Sequence, residues 1–137
     1  MKKFFIQNLK VLNSVLFSLL LLVLFSCKKP AGQGGNSSIK GRLWVKDFPT
    51  MAEYAGYDEY VYIIYGDDVS YGDRIRSSYD GQFEFKYLRK GKYKIYTYSM
   101  ALASLGQPVL LDSAVVREIE ITKNRQTVDL SNVVIYK

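Results

Sequence analysis

From residue 39 to residue 137, apolar and polar side chains alternate with a period of two, in short segments separated by turn residues. This period places successive side chains on opposite faces of an extended strand, and no sustained helical period interrupts it. Segments of this kind, repeated about every eight to twelve residues, are typical of two packed β-sheets. We predict an all-β domain, a seven-stranded antiparallel sandwich, with strands at residues 39–46, 60–65, 74–79, 82–86, 93–98, 113–121 and 128–136.

The connections between these segments carry their own signals. Asp80-Gly81 is a hairpin turn signal, and it predicts that the strand ending at residue 79 pairs with the strand beginning at Gln82. The two longest connections, residues 51–58 and 101–108, each have room for a helical turn. Neither is long enough to form a second domain.

The last predicted strand changes phase along its length. Val128 and Leu130 share one face, whereas Val133 and Ile135 lie an odd number of residues further on. One extra residue in one strand of a pair restores the common face. We therefore predict a β-bulge at Ser131-Asn132.

The sequence has no histidine and a single cysteine, which removes most catalytic and metal chemistry. Zinc sites built from cysteine and histidine and nucleophiles activated by histidine are excluded, and one cysteine cannot form an internal disulfide. We therefore predict a protein that is not an enzyme and needs no cofactor. Cys27 requires a different explanation.

The N-terminal segment supplies that explanation. Lysines follow Met1, and residues 11–25 are almost wholly apolar, as in the hydrophobic region of a signal peptide. The segment ends in Leu24-Phe25-Ser26-Cys27, which resembles the lipobox of bacterial lipoproteins cleaved by signal peptidase II. The resemblance implies a helical signal peptide at residues 1–26, cleavage before Cys27, and a lipid on the Cys27 sulfur. An uncleaved membrane anchor is the alternative.

Residues 27–38 are predicted to form the lipidated N-terminus and a flexible linker, because they include three glycines and no large apolar residue. The sandwich domain would then begin at Ile39. Loss of the leader lowers the formal net charge from +6, because it removes three lysines. The remaining basic residues are scattered along the chain without a recognisable motif, so we do not expect nucleic acid binding.

Residues 80–95 carry a resemblance to a known family. Their sequence, DGQFEFKYLRKGKYKI, is similar to the D-G-x-F-x-F…L…G-x-Y-x-I signature of carboxypeptidase regulatory-like and related transthyretin-like domains. The resemblance implies an immunoglobulin-like or transthyretin-like sandwich used as an accessory, adhesive or scaffold module, with Phe83, Phe85, Leu88 and Tyr93 in one core layer. Transthyretin-like enzymes that hydrolyse purine breakdown products depend on histidines, so that activity is excluded.

Two groups of residues are candidate binding sites. Oxygen ligands on a turn suit calcium, so Asp67, Asp68 and Asp73 are a candidate Ca²⁺ site, with ordinary solvated turn residues as the alternative. No other metal site is predicted. Trp44 lies on the same strand face as lysine and arginine residues. Tyr96 and Tyr98 lie on the same strand face as two lysines. If these strands lie in one sheet, the three aromatic residues form a surface for a sugar or a protein; the alternative is cross-strand aromatic pairing.

We expect a lipid-anchored protein of the cell envelope, at the outer membrane, on either its periplasmic or its outer face. Its expected partners are the membrane, through the lipid on Cys27, and an envelope protein or glycan. A binding or scaffold module that recognises protein is the first hypothesis. The alternatives are a carbohydrate-binding module that uses Trp44, Tyr96 and Tyr98, and a subunit of a surface fibre that accepts a neighbour's strand at a sheet edge.

Overall fold

The computed structural model describes residues 30–48, 50–102 and 108–137. Eight strands form in these ranges: β1 (Gln33–Lys46), β2 (Glu53–Ala55), β3 (Tyr60–Tyr65), β4 (Asp73–Arg76), β5 (Gln82–Leu88), β6 (Gly91–Leu102), β7 (Pro108–Ile121) and β8 (Thr127–Tyr136). Leu24, Ser26, Cys27 and the predicted signal peptide lie outside the described residues, as does most of the predicted 101–108 connection. Within the described ranges, no helix has the length and apolar character needed to cross a membrane.

The strands form two four-stranded sheets. In the first, which we call sheet A, β1 pairs with β5 and β2 along one edge and with β8 along the other. The second, sheet B, has the order β4-β3-β6-β7. The all-β sandwich is therefore confirmed, with two differences: β2 forms in the connection expected to hold a helical turn, and β1 and β8 run parallel.

The core follows from the alternation. Ile39, Leu43 and Val45 of β1 are buried, and the first two pack in one core cluster with Val61 and Ile63 of β3. Each such side chain contributes about 1.5–3 kcal/mol to folding when it is fully buried. The side chains that the family resemblance assigned to one core layer are all at most 4% exposed: Phe83, Phe85, Leu88 and Tyr93.

The predicted Asp80-Gly81 hairpin is wrong. Ser78 and Gln82 do form a tight turn, and Gly81 has the positive φ expected, 81°. However, β4 pairs with β3 in sheet B and β5 pairs with β1 in sheet A, so the turn carries the chain from one sheet to the other. A turn signal specifies a local reversal of direction; whether the flanking strands pair depends on which neighbours are available elsewhere.

The predicted bulge in β8 is confirmed. Lys40 of β1 lies opposite Asp129, while Arg42, two residues on, lies opposite Asn132, three residues on. Ser131 sits inside this irregularity with φ 54° and donates its backbone N–H to the Asp129 side chain, N to Oδ1 2.8 Å. The extra residue returns the apolar side chains of β8 to the inward face.

The N-terminal segment differs from the predicted flexible linker. The strand begins at Gln33 rather than at Ile39, and Ser37 is 3% exposed. The Tyr93 hydroxyl accepts a hydrogen bond from the Gly32 N–H at 3.0 Å and donates one to the Arg89 carbonyl at 2.6 Å. The prediction of a flexible linker was wrong for these residues because low apolar content describes only the side chains. This segment is held by hydrogen bonds of its backbone.

Candidate partner-binding surface

The aromatic residues proposed from sequence to form one surface lie on two. Trp44 belongs to β1 in sheet A, whereas Tyr96 and Tyr98 belong to β6 in sheet B. All three point away from the core, because they alternate with buried neighbours. Outward side chains of two facing sheets lie on opposite sides of a sandwich, so a single ligand-binding face built from all three does not form.

Trp44 is held by its own neighbours on sheet A. Its ring packs under the Arg42 guanidinium, 5.0 Å from the ring centroid, and its Nε1 donates to Glu53 Oε2 at 3.0 Å. Glu53 also pairs with Lys46 at 3.0 Å. The hydrogen bond from Trp44, followed by that from Lys46, lowers the pKa of the Glu53 carboxyl below its usual range. The polar groups around this ring are already paired.

The outer face of sheet B carries a different arrangement, which we call the tyrosine cluster: Tyr60, Tyr62, Tyr71, Tyr96 and Tyr98. Tyr62 of β3 lies directly opposite Tyr96 of β6, and the register stacks their rings at 4.8 Å with an interplanar angle of 10°. Tyr98 meets both rings edge-on, at 5.8 Å from Tyr62 and 5.9 Å from Tyr96. Stacked and edge-on pairs at these distances favour a rigid aromatic surface.

Two further tyrosines extend the cluster at its other side. Tyr71, from the loop between β3 and β4, places its ring edge-on to Tyr62 at 5.1 Å. The Tyr60 ring lies under two guanidinium groups, with Arg74 at 4.6 Å and Arg76 at 4.2 Å. Arg76 forms an ion pair with Asp58 and donates to the Tyr60 hydroxyl at 2.7 Å, and these contacts raise its pKa. The cations thus fix the Tyr60 end of the cluster.

The β7 side of the cluster is apolar and open. Val116 lies opposite Tyr96 and Ala114 lies opposite Tyr98, on the same outer face. Tyr98 is 51% exposed, Tyr71 47% and Val116 44%. Burial among these neighbours, with smaller contributions from the nearby tyrosines, raises the pKa of the Tyr96 hydroxyl above its usual range.

Sequence reasoning found Tyr96 and Tyr98 but missed Tyr62, Tyr71 and Val116. Tyr62 lies in a segment that is apolar and aromatic throughout, a pattern typical of a strand buried on both faces. Its side chain proves half-buried and faces outward. The pairing of β3 with β6 joins residues 28 to 34 positions apart in the chain, and the alternation within either strand carries no signal for that pairing.

The candidate calcium site does not assemble. Asp67 and Asp68 lie exposed in the loop after β3, and Asp73 begins β4, where its Oδ2 accepts a hydrogen bond from Gln33 Nε2 at 3.0 Å. Its Oδ1 accepts from the Arg74 N–H at 2.8 Å. Across the described ranges, no group of three carboxylate, cysteine or histidine side chains is arranged to hold a metal ion.

Comparisons with known proteins add context but no assignment. Neither a known protein family nor a curated protein matches the sequence. Among solved structures, the chain is similar to a Pseudomonas aeruginosa protein proposed to bind carbohydrate, with 14% identity and a TM-score of 0.48 over 78% of this chain and 92% of that one. It is also similar to part of a 9R-lipoxygenase from Cyanothece PCC8801, with 18% identity and a TM-score of 0.37 over 72% of this chain and 16% of that one.

Proposed function

We propose that the domain is a non-catalytic, lipid-anchored binding module of the bacterial cell envelope, and that the tyrosine cluster is the surface on which it binds a protein partner. The cluster itself is the observation that carries the proposal. Tyr62, Tyr96 and Tyr98 pack into one rigid group on two paired strands, continuous with the exposed Val116. Tyrosine and arginine, with tryptophan, are enriched at the energetic centres of protein interfaces.

The ring geometry favours a protein partner over a sugar. A sugar ring stacks on an open aromatic face, but Tyr62 and Tyr96 stack on each other, and the guanidinium groups of Arg74 and Arg76 lie over the Tyr60 ring. What the cluster leaves exposed is about half of Tyr98 and Tyr71 and the apolar Val116 side chain. A protein surface of complementary shape can cover such a patch without reordering it, which keeps the entropic cost of binding low.

Photo-crosslinking in the native membrane tests this proposal. Val116 is replaced by a photoreactive phenylalanine analogue in the full-length protein, and the matched control carries the analogue at Gln82 on the outer face of sheet A. We expect a discrete protein adduct from position 116 and none from position 82. A second change, Tyr98→Ala, should weaken the interaction by about 2 kcal/mol, which is roughly thirtyfold, if Tyr98 is a central contact.

Three outcomes contradict parts of the proposal. Adducts from position 82 but not 116 would move the interface to sheet A. Binding to a glycan array that is lost in Tyr98→Ala would replace the protein partner with a carbohydrate. A mass spectrum of the native N-terminus without a diacylglyceryl group on Cys27 would remove the lipid anchor, while leaving the tyrosine surface to be judged by the crosslinking result.

A further inference from the structure

We propose that one end of the sandwich, which we call the tether end, lies against the surface of a bilayer containing anionic phospholipid. The tether end consists of residues 30–37, the β3–β4 loop, the β5–β6 turn and the β7–β8 turn, together with Asp73, Lys92 and Glu120 at the ends of the adjoining strands. These segments meet because β1 and β8 begin there and β5 and β7 end there. The proposal rests on lipidation of Cys27, which is part of the proposed function.

The first argument is the length of the tether. Pro30 is fixed to the β5–β6 turn by the Arg89 Nε donor, at 2.9 Å from its carbonyl, and Gly32 accepts from the Arg89 N–H at 2.9 Å. Only Lys28 and Lys29 separate Pro30 from Cys27. Three Cα–Cα steps span about 11 Å at full extension. A lipid on Cys27 therefore brings this end, and no other, to the membrane surface.

The second argument is where the mature chain carries its charge. Beside Lys28 and Lys29, five cations belong to the tether end: Arg89, Lys90, Lys92, Lys123 and Arg125. Its acidic residues are Asp67, Asp68, Asp73 and Glu120. The other basic and acidic residues after Cys27 number nine of each, so the whole net positive charge of the mature chain resides at this end.

The third argument is that these cations remain available. Lys90, Lys92, Lys123 and Arg125 are exposed, and within the described ranges none of the five cations forms an ion pair. By contrast, ion pairs to carboxylates occupy six cations elsewhere in the fold: Lys40, Lys46, Arg76, Lys86, Lys94 and Lys137. Unpaired cations a short distance from a lipid anchor are the arrangement that anionic headgroups attract.

An apolar side chain at the same end adds to this arrangement. Val69, in the β3–β4 loop, is fully exposed, at 102% of its reference area. Its side chain is therefore not buried against the rest of the domain, whereas the headgroup region of a bilayer accepts apolar side chains. With the tether end down, sheet B stands upright on the membrane, and Tyr62, Tyr96 and Tyr98 of the tyrosine cluster remain open to partners at its side.

Fluorescence quenching of the lipidated protein in vesicles tests the orientation. Once lipid occupies Cys27 there is no other thiol, so Asn124→Cys labels the tether end alone and Tyr79→Cys labels the opposite end. With a quencher on the lipid headgroups of vesicles containing phosphatidylglycerol, we expect loss of most of the fluorescence at position 124 and no loss at position 79. Equal quenching at both positions would overturn the proposal, because the domain would then tumble on its tether.

Charge reversal separates surface contact from simple tethering. Lys90→Glu with Arg125→Glu should halve the quenching at position 124 or reduce it further, and so should high salt. The matched control, Lys46→Glu with Lys137→Glu at the opposite end, should leave it unchanged. Quenching that is unchanged by Lys90→Glu with Arg125→Glu would overturn the proposal. Failure of the protein to float with vesicles would also overturn it, and together with the mass spectrum would trace the failure to Cys27 rather than to the cations.

Discussion

The outer faces of the two sheets arise from the same alternating pattern but use their side chains differently. On sheet A, charged residues pair with one another, as in Lys40 with Asp129 at 3.4 Å, and Trp44 is engaged by Arg42 and Glu53. On sheet B, tyrosines pack mainly against tyrosines and leave an apolar margin exposed. A face whose polar groups are mutually paired gains little from a partner, whereas an exposed aromatic face gains by burial.

The chain passes from sheet B to sheet A through the turn at Gly81, and the two outer faces depend on that turn. Of the variants considered, Gly81→Ala should destabilise the fold most. The added Cβ would meet the Leu43 carbonyl oxygen, and φ of 81° is unfavourable for alanine. We expect a loss of about 3 kcal/mol or more in the free energy of unfolding, measured by urea denaturation. Gly34→Ala is the control: its φ is also positive, but the nearest atom is the flexible end of Arg89 at 3.5 Å, so about 1 kcal/mol is expected. Equal losses would contradict the steric argument.

Tyr62→Ala should break the aromatic face of sheet B. Its ring contacts four other tyrosines, and their pairwise contributions predict a loss of about 2 kcal/mol in the free energy of unfolding. Tyr79→Ala is the matched control, because Tyr79 is 83% exposed and should cost less than about 0.5 kcal/mol. Similar losses in the two variants would show that the cluster adds nothing beyond single exposed rings.

Trp44→Ala should have a smaller effect on sheet A. It removes one cation–π contact and one hydrogen bond at a partly exposed position, so we expect a loss of about 1 kcal/mol by thermal denaturation. Binding of the partner captured at position 116 should be unchanged. If Trp44→Ala weakened that binding as strongly as Tyr98→Ala does, the two faces would not be functionally distinct.

Acid should destabilise the sheet A face. Hydrogen bonds from Trp44 and Lys46 lower the pKa of Glu53, and those from the Ser131 N–H and Lys40 lower that of Asp129. A lowered carboxyl pKa contributes stability above the unfolded-state value, which is lost as the pH falls through the folded-state value. The urea concentration at the unfolding midpoint should therefore decrease as the pH is lowered below about 4.5. The decrease per pH unit should be smaller in the double variant Glu53→Gln with Asp129→Asn. An unchanged slope would show that these groups add nothing to stability. This is the smallest effect, because both groups are exposed.

Local signals in the sequence predicted much of the fold. The alternation in residues 39–46 and 93–98 identified the inward faces correctly, and the phase change in β8 located the bulge near Ser131. Each of these features depends on neighbours along the chain, where side-chain period and turn chemistry act directly. The start of β1 at Gln33 was not predicted, because backbone hydrogen bonds to distant turns hold that segment.

Pairing between distant strands decided the rest. The residues around Asp80-Gly81 carry no signal that the flanking strands enter different sheets. The residues around Tyr62 carry no signal that the Tyr96 ring stacks on it. Sequence alone determined which residues face inward, that the chain has no histidine, and that Cys27 ends a lipobox-like segment. Tertiary structure decided that Trp44 and Tyr98 face opposite sides of the sandwich and that Lys90, Lys123 and Arg125 lie at the end where β1 begins, because many strand orders can satisfy one alternating pattern and only packing selects among them.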